Sequence, residues 1–425
     1  MSNLHELSII IPVGKEETSL LNLLEKLTPF SKESEVICVG ASEKPRELPP
    51  GIKWLKSELG RAQQMNRGAL EARGSFLWFL HADSEVAETH LEEIERAIQN
   101  RPDSLSFFML AFQERHPGLF LNELGTWFRS RCLGLPFGDQ GFLLSKKSFW
   151  KCGGYPESTP YGEDHLLVWK AKKKGIPLNP ISESLKTSGR KYLGQGWLKT
   201  TRKHLFLTYV QATKEVLKKQ EHKCAVAVFV KTPGLSPLKT RLAEGVGKAR
   251  AEEFYLESVK EVESVLKSVE AESFEFVPLW AVAEEEGMDH SLWKGFDRLF
   301  QGTGSLGDRL HQVYSSLIEK YETVILIGAD CPQIQKSHFL ETQRRLKDKK
   351  GRFVLGPAFD GGFYLFGGKN PIPKMIWTQV QYSQSTTLQE LKEGLQKMGA
   401  VDFLGELRDI DNADDLKYYL ERKTS

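Results

Sequence analysis

Cysteine is scarce and poorly placed for pairing. Cys38, Cys132, Cys152, Cys224 and Cys331 lie far apart, with no CxxC pair and no Cys/His cluster at zinc spacing. An odd, scattered set excludes a disulfide framework and a structural zinc, and fits reduced thiols in a cytoplasmic protein. An excess of either charge is also missing. Lys and Arg number 58 against 56 Asp and Glu, a formal balance of +2, so there is no general basic field for a nucleic-acid partner. No apolar run approaches the roughly 20 residues of a membrane helix, and the opening MSNLHELSIIIPVG lacks the basic and long apolar regions of a signal peptide. Contact with a bilayer would have to be peripheral. Its candidate is WLKTTRKHLFLTYV (Trp197–Val210), basic and aromatic at once, although such stretches more often pack inside a domain.

What is present is an ordinary core-forming composition, 40% hydrophobic and 27% charged over 425 residues, suited to two or three domains. LSIIIPV (Leu7–Val13), EVICVG (Glu35–Gly40) and FLWFL (Phe76–Leu80) read as buried strands. Leu20, Leu23, Leu24 and Leu27, and then Ala62, Met65, Ala69 and Leu70, recur at helical spacing. Thr89 with Glu92 forms a candidate capping box for the next helix. A polar break, KKQEHK (Lys218–Lys223), precedes a restart at CAVAVFV (Cys224–Val230). The alternation predicts two tandem α/β domains with mainly parallel sheets, residues 1–220 and 221–425.

Two apolar strands, each in the third position of its half, stop at an aspartate: LWFLHADS at Asp83 and ILIGADC at Asp330. Ligands of open α/β sheets bind beyond the carboxyl ends of the strands. Carboxylates there suit Mg²⁺ or Mn²⁺ shared with substrate phosphates; each alone could equally cap a turn. In VKTPGLSPLKTRL (Val230–Leu242), Lys239 and Arg241 can grip phosphate oxygens or serve as ordinary surface cations, and the order of a Walker A loop is absent. GTGSLG (Gly302–Gly307) fits GxGxxG, but DRLFQ before it is a weak strand, which argues against a dinucleotide site. A glycine loop opening a helix can still hold phosphate, with Asp308 and Arg309 either orienting a ligand or lying on the helix surface.

In the first half, the order IIP, GRAQQMNRGA, FLHAD, GDQG, GGY and ED resembles a family 2 glycosyltransferase of the GT-A fold, a Rossmann-like nucleotide-diphospho-sugar transferase. It resembles most a cytoplasmic branch linked to arsenosugar biosynthesis and found beside radical-SAM or selenium-related genes. The resemblance implies that Asp83 binds the metal. It implies that Pro12, Glu16, Arg61, Asn66 and His81 face the nucleotide-sugar, and that Asp164, aided by Glu163, is the general base. Read without it, Glu163–Asp164 is an acidic helix N-terminus. The sequence departs from the pattern at CVGAS, where Gly40 replaces the aspartate that normally reads the base or ribose. GLFLNELGTWFRSRCLGLPFG (Gly118–Gly138), rich in aromatics and arginine, either lines an acceptor site or packs in a core.

In the second half, KTRL, LGDRL, LIGADCP, GPAFDGGFYLFG, the Trp377–Thr387 segment and DIDNADDL resemble the partner transferase of the same gene neighbourhoods, related to phospholactate guanylyltransferases. That resemblance implies metal binding at Asp330 and Asp411, phosphate contacts at Lys239 and Arg241, and a role for Asp360. Without it, Asp360 marks a tight turn and Asp411 a helix cap. The expected activity is metal-dependent, inverting transfer of a sugar from a nucleotide-sugar to a small acceptor. The alternatives are a C-terminal half that uses an NTP to make the activated donor, and a half that has lost catalysis.

Overall fold

Apolar runs bounded by glycine, proline or charge make the strands, and amphipathic stretches make the helices between them. The structure, a computed structural model, describes residues 4–15, 19–157, 159, 162–189, 221–273, 275–347 and 353–423. The chain divides into two units, Met1–Lys218 and Lys219–Ser425.

The first unit contains β1 (Leu7–Val13), β2 (Glu35–Gly40), β3 (Ile52–Lys56), β4 (Phe76–Phe79), β5 (Leu105–Phe112), β6 (Leu143–Ser145) and β7 (Leu178–Thr187). They form one sheet in the order β3-β2-β1-β4-β6-β5-β7. All neighbours run parallel except β6, which is antiparallel to both β4 and β5. Alternate residues of β1 serve opposite faces, as a pleated strand requires. Ile9 and Ile11 join Leu20, Leu23, Leu24 and Leu27 in one core cluster. Ile10, on the other face, lies under the helix Arg61–Glu71, where a side chain on Gly68 would overlap it.

The second unit repeats the plan. β8 (Glu221–Val230), β9 (Phe276–Val282), β10 (Asp297–Phe300), β11 (Tyr321–Gly328), β12 (Phe353–Pro357), β13 (Phe363–Gly368) and β14 (Val401–Phe403) are ordered β10-β9-β8-β11-β13-β12-β14. Again only the third strand from the far end, here β13, runs antiparallel to its neighbours. Strand for strand, this is the arrangement of the first sheet. The expected fold, two tandem GT-A-type α/β domains with mainly parallel sheets, is the fold observed.

Three local expectations need correction. Asp83 and Asp330 follow the fourth strand of each unit, because β3 and β10 come before them as short edge strands. The helix Glu88–Asn100 is not capped by Thr89. Its cap residue is Ala87, whose N–H donates to His90 Nδ1 at 3.0 Å, while the Thr89 hydroxyl donates to Glu183. The glycine run 302–307 does follow a strand and open a helix, Leu306–Ile318. That strand is the sheet's edge, however, and not the central first strand of a dinucleotide fold. Trp197–Val210 lies outside the described residues, and no helix among the described residues is long and apolar enough to cross a membrane.

Candidate active sites

The equivalent strand pairs bring the two expected aspartates to equivalent places. Beyond β4 the Leu80 N–H still donates to Ile10 of β1, at 3.0 Å, and beyond β11 the Ala329 N–H donates to Phe229 of β8, at 3.2 Å. Each chain then leaves the sheet, carrying Asp83 or Asp330 past its carboxyl edge.

In the first unit, the helices Arg61–Glu71 and Glu163–Lys173 present one charged end each. Gly60 and Gly162, both at positive φ, precede them and let the chain turn sharply into the first turn. Arg61 Nη1 stands 3.5 Å from Glu163 Oε1 and 3.6 Å from Asp164 Oδ2. Gly138, the first residue of GDQG, packs against Asp164 so closely that a β-carbon there would collide with the carboxylate. Asp164 is buried, and its Oδ1 has no hydrogen-bond partner. Burial raises its pKa and the Glu163 and Asp139 charges add to the rise. Arg61 and the Gly138 N–H oppose it, and the carboxyl settles at about 7.

Three further buried polar atoms lack partners around this pair: His81 Nε2, Asp139 Oδ1 and Tyr155 Oη. Burial, reinforced by the Arg61 charge, drops His81 to about 3, so its ring is neutral. Burial and the Asp83 charge raise Asp139 against Arg129 and Arg61. Tyr155 is pushed well above the ordinary phenol range by burial and by Asp164 and Glu163, which keeps its hydroxyl protonated. Orphaned buried polar atoms are rare in folded proteins. Several that share electrostatic partners mark a place where a polar ligand completes the set.

The remaining first-unit residues fall differently. Asn66 is completely buried and spends its amide on the chain. Nδ2 donates to Tyr155 O at 2.8 Å and Glu157 Oε1 at 2.7 Å, and Oδ1 accepts from the Tyr155 N–H at 2.9 Å. It fixes the GGYPE turn. Gln140 of GDQG is likewise internal, bonded to Phe108 O, Ser130 and the Phe137 N–H. Pro12 is the penultimate residue of β1, paired with Val39. Glu16 lies outside the described residues. At Gly40, the departure from the family pattern, a β-carbon would sit 2.5 Å from Trp54 Cζ2. The Trp54 indole, on β3, fills the space an aspartate would use.

In the second unit, Lys239 takes up a left-handed conformation (φ 43°) just before the helix Thr240–Val246. Its side chain is buried, and Nζ donates to Ile410 O at 2.8 Å while pairing with Asp330 Oδ2 at 3.3 Å and Asp411 Oδ1 at 3.4 Å. Arg241 Nη1 reaches Asp411 Oδ2 at 3.2 Å. Burial opposes the Lys239 charge, but the two aspartates outweigh it and hold the ammonium above its ordinary range. The two cations expected on phosphate are therefore in contact with the two carboxylates expected on metal. Asp411 is not the helix cap: Asn412 Oδ1 accepts the Asp415 N–H at 2.9 Å instead. Asp360 is exposed and accepts the Gly362 N–H at 2.8 Å, but its charge reaches the cluster through Asp409. Burial and the Asp330, Asp360 and Asp411 charges raise Asp409 to about 7 against Lys239.

Asp409 and Asp139 were the residues missing from the sequence reading. Asp308 and Arg309 do not join the cluster by any described contact. Asp308 caps its own helix through the Ser305 hydroxyl and N–H and pairs with Lys374 at 3.0 Å. Among the described residues no three metal-ligating side chains converge. Mg²⁺ and Mn²⁺ ordinarily take one or two carboxylates and fill their shell with water and phosphate. The partnerless Asp139 Oδ1 and the neighbouring Asp83 fit that donor set.

Residues 8–129 match the model for glycosyl transferase family 2, and residues 269–384 match that of a family described as an uncharacterized protein conserved in bacteria (DUF2064). No curated protein matches this chain. Among solved structures, a protein provisionally assigned as a nucleotide-diphospho-sugar transferase of Desulfovibrio desulfuricans G20 is 22% identical over 48% of this chain and 89% of its own, with a TM-score of 0.43. The mannosyltransferase PcManGT of Pyrobaculum calidifontis, in complex with GDP-Man and Mn²⁺, is 15% identical over 49% of this chain and 64% of its own, at 0.37. Residues 1–349 of S. aureus TarS are 19% identical over 43% of this chain and 60% of that one, at 0.34.

Proposed function

We propose that the first unit transfers a sugar from a nucleotide-diphosphate-sugar to the hydroxyl of a small acceptor, with inversion at the anomeric carbon. The observation that carries this reading is the buried Asp164 carboxylate, poised at about 7 with one oxygen unpartnered, beside the Arg61 cation. A general base works best when its pKa lies near the working pH. The acceptor oxygen bonds to the anomeric carbon as the sugar–diphosphate bond breaks. The electron pair leaves with the nucleoside diphosphate, and the acceptor proton passes to Asp164 Oδ1. Arg61 offers its charge to the departing phosphate, and Glu163 keeps the carboxylate basic by repulsion. Asp83 and Asp139 would hold Mg²⁺ or Mn²⁺, which when bound neutralises charge developing on the leaving group. The Trp54 indole beside Gly40 gives the nucleoside an aromatic surface where an aspartate is usual.

A second reading applies to the second unit. Its first loop brings Lys231 and Lys239 near Asp330 and Arg241 onto Asp411, cations suited to a longer phosphate chain than a diphosphate. Nucleotidyl transfer from an NTP to a phosphorylated compound, in which Asp330 and Asp411 would supply oxygen donors to a cation, is the reaction that set favours. The test incubates the full chain with Mn²⁺ and, separately, a panel of NDP-sugars or NTPs with sugar phosphates. NDP release lost in Asp164→Asn supports the first assignment, and pyrophosphate release lost in Asp330→Asn supports the second. A chain that binds no nucleotide in either unit is a scaffold, and both assignments fail.

A further inference from the structure

The helix Pro117–Cys132 is inside out. On its inward face Leu119 packs with Leu110 and Phe112, but Gly118, Thr126 and Ser130 are small or polar, and Glu123 turns in to accept the Phe112 N–H at 2.7 Å. Its outward face carries Phe120, Leu121, Leu124, Trp127 and Phe128, each between 47% and 64% exposed. The spacing i, i+1, i+4, i+7, i+8 aligns them along one stripe of about 12 Å. Soluble proteins rarely leave so large a contiguous apolar patch in water unless a partner covers it.

We propose that this face docks on an anionic lipid bilayer surface. A headgroup boundary accepts Trp, Phe and Leu from a helix lying in its plane. What favours that occupant over a second copy of the chain is charge. Arg131 shares the outward face. At its C-terminal end Lys172 Nζ reaches the carbonyls of Leu133 and Gly134 at 3.3 and 3.4 Å. Arg131 and Lys172 are exposed, and each such cation adds attraction to anionic lipid. Six residues beyond the helix lies Gly138 of the Asp164 site, so docking sets that site close to the lipid surface.

The full-length chain is tested by co-sedimentation with phosphatidylcholine vesicles, with and without phosphatidylglycerol. Trp127→Glu/Phe128→Glu is the test variant, and Leu420→Glu, an exposed leucine in the other unit, is the control. The expected result is binding to anionic vesicles at least about 10-fold above neutral ones. The double variant should lose at least about 10-fold, while the control keeps full binding and all three chains melt alike. Light scattering reads the oligomeric state in parallel. Three results overturn the proposal: no binding by the unmodified chain, undiminished binding by the double variant, or a dimer without lipid affinity that the double variant dissociates.

Discussion

Arg61 Nη1 lies 3.6 Å from Asp164 Oδ2, and the approach joins two helix starts about a hundred residues apart in sequence. The Arg61 charge restrains an upward shift that burial, Glu163 and Asp139 would otherwise carry further. What results is a carboxylate that can both accept and release a proton near neutrality.

Stability and function should therefore oppose each other at Asp164. Its folded pKa, about 7, lies above the ordinary carboxylate value, so the folded state holds the proton more tightly than the unfolded chain. Its contribution to stability is full at low pH and is lost as pH rises through about 7. Asp164→Asn removes that loss. The variant should be more stable than the unmodified chain at pH 8, by on the order of 4 kcal/mol, and no more stable at pH 4, as calorimetry would read.

Glu163→Gln removes a neighbouring negative charge. With less repulsion, Asp164 should titrate at lower pH, and the acid limb of the rate profile should move down with it. A profile that stays in place would assign Glu163 to some other task.

Gly138 and Gly125 make a contrasting pair. A methyl at Gly138 meets the Asp164 carboxylate, whereas nothing lies within 4 Å of one at Gly125, on an exposed helix face. Gly138→Ala should destabilise by about 1–3 kcal/mol and lower turnover. Gly125→Ala should stabilise by about 0.5–1 kcal/mol. Urea denaturation of the two variants checks both signs.

In the second unit, Lys239→Met leaves Asp330 and Asp411 facing each other without the ammonium between them. Because Asp330 is 54% exposed, the expected loss is discounted to about 1–2 kcal/mol from that of a fully buried pair. Lys239→Arg should recover much of the stability. NTP affinity, measured by calorimetric titration, should fall in Lys239→Met.

Much of this was legible in the chain. β1, β2, β4, β8 and β11 are continuous apolar runs because central parallel strands are buried on both faces. β3 escaped and β10 showed only as a weak strand because edge strands are half-wet, and IKWLK and DRLF carry charges into the pattern. Asn66, assigned to the nucleotide-sugar by resemblance, lies within the stripe Ala62, Met65, Ala69, which matches its burial in the structure. Asp409 also left a signal. In DID, the completely buried Ile410 separates two carboxylates that share electrostatic partners, as alternation along an extended chain predicts. Asp139 left none, since only the folded chain sets GDQG against the end of β4.

The most direct test of the central claim is the pH dependence of NDP release, in Mn²⁺, by the unmodified chain and by Asp164→Asn, with donor affinity measured in parallel. The account predicts a rate that climbs to a plateau through about pH 7, falls at least about 100-fold in the variant, and leaves donor binding intact. Release by Asp164→Asn at the unmodified rate, or a rate indifferent to pH between 5 and 9 (about four units around the expected midpoint), would contradict it.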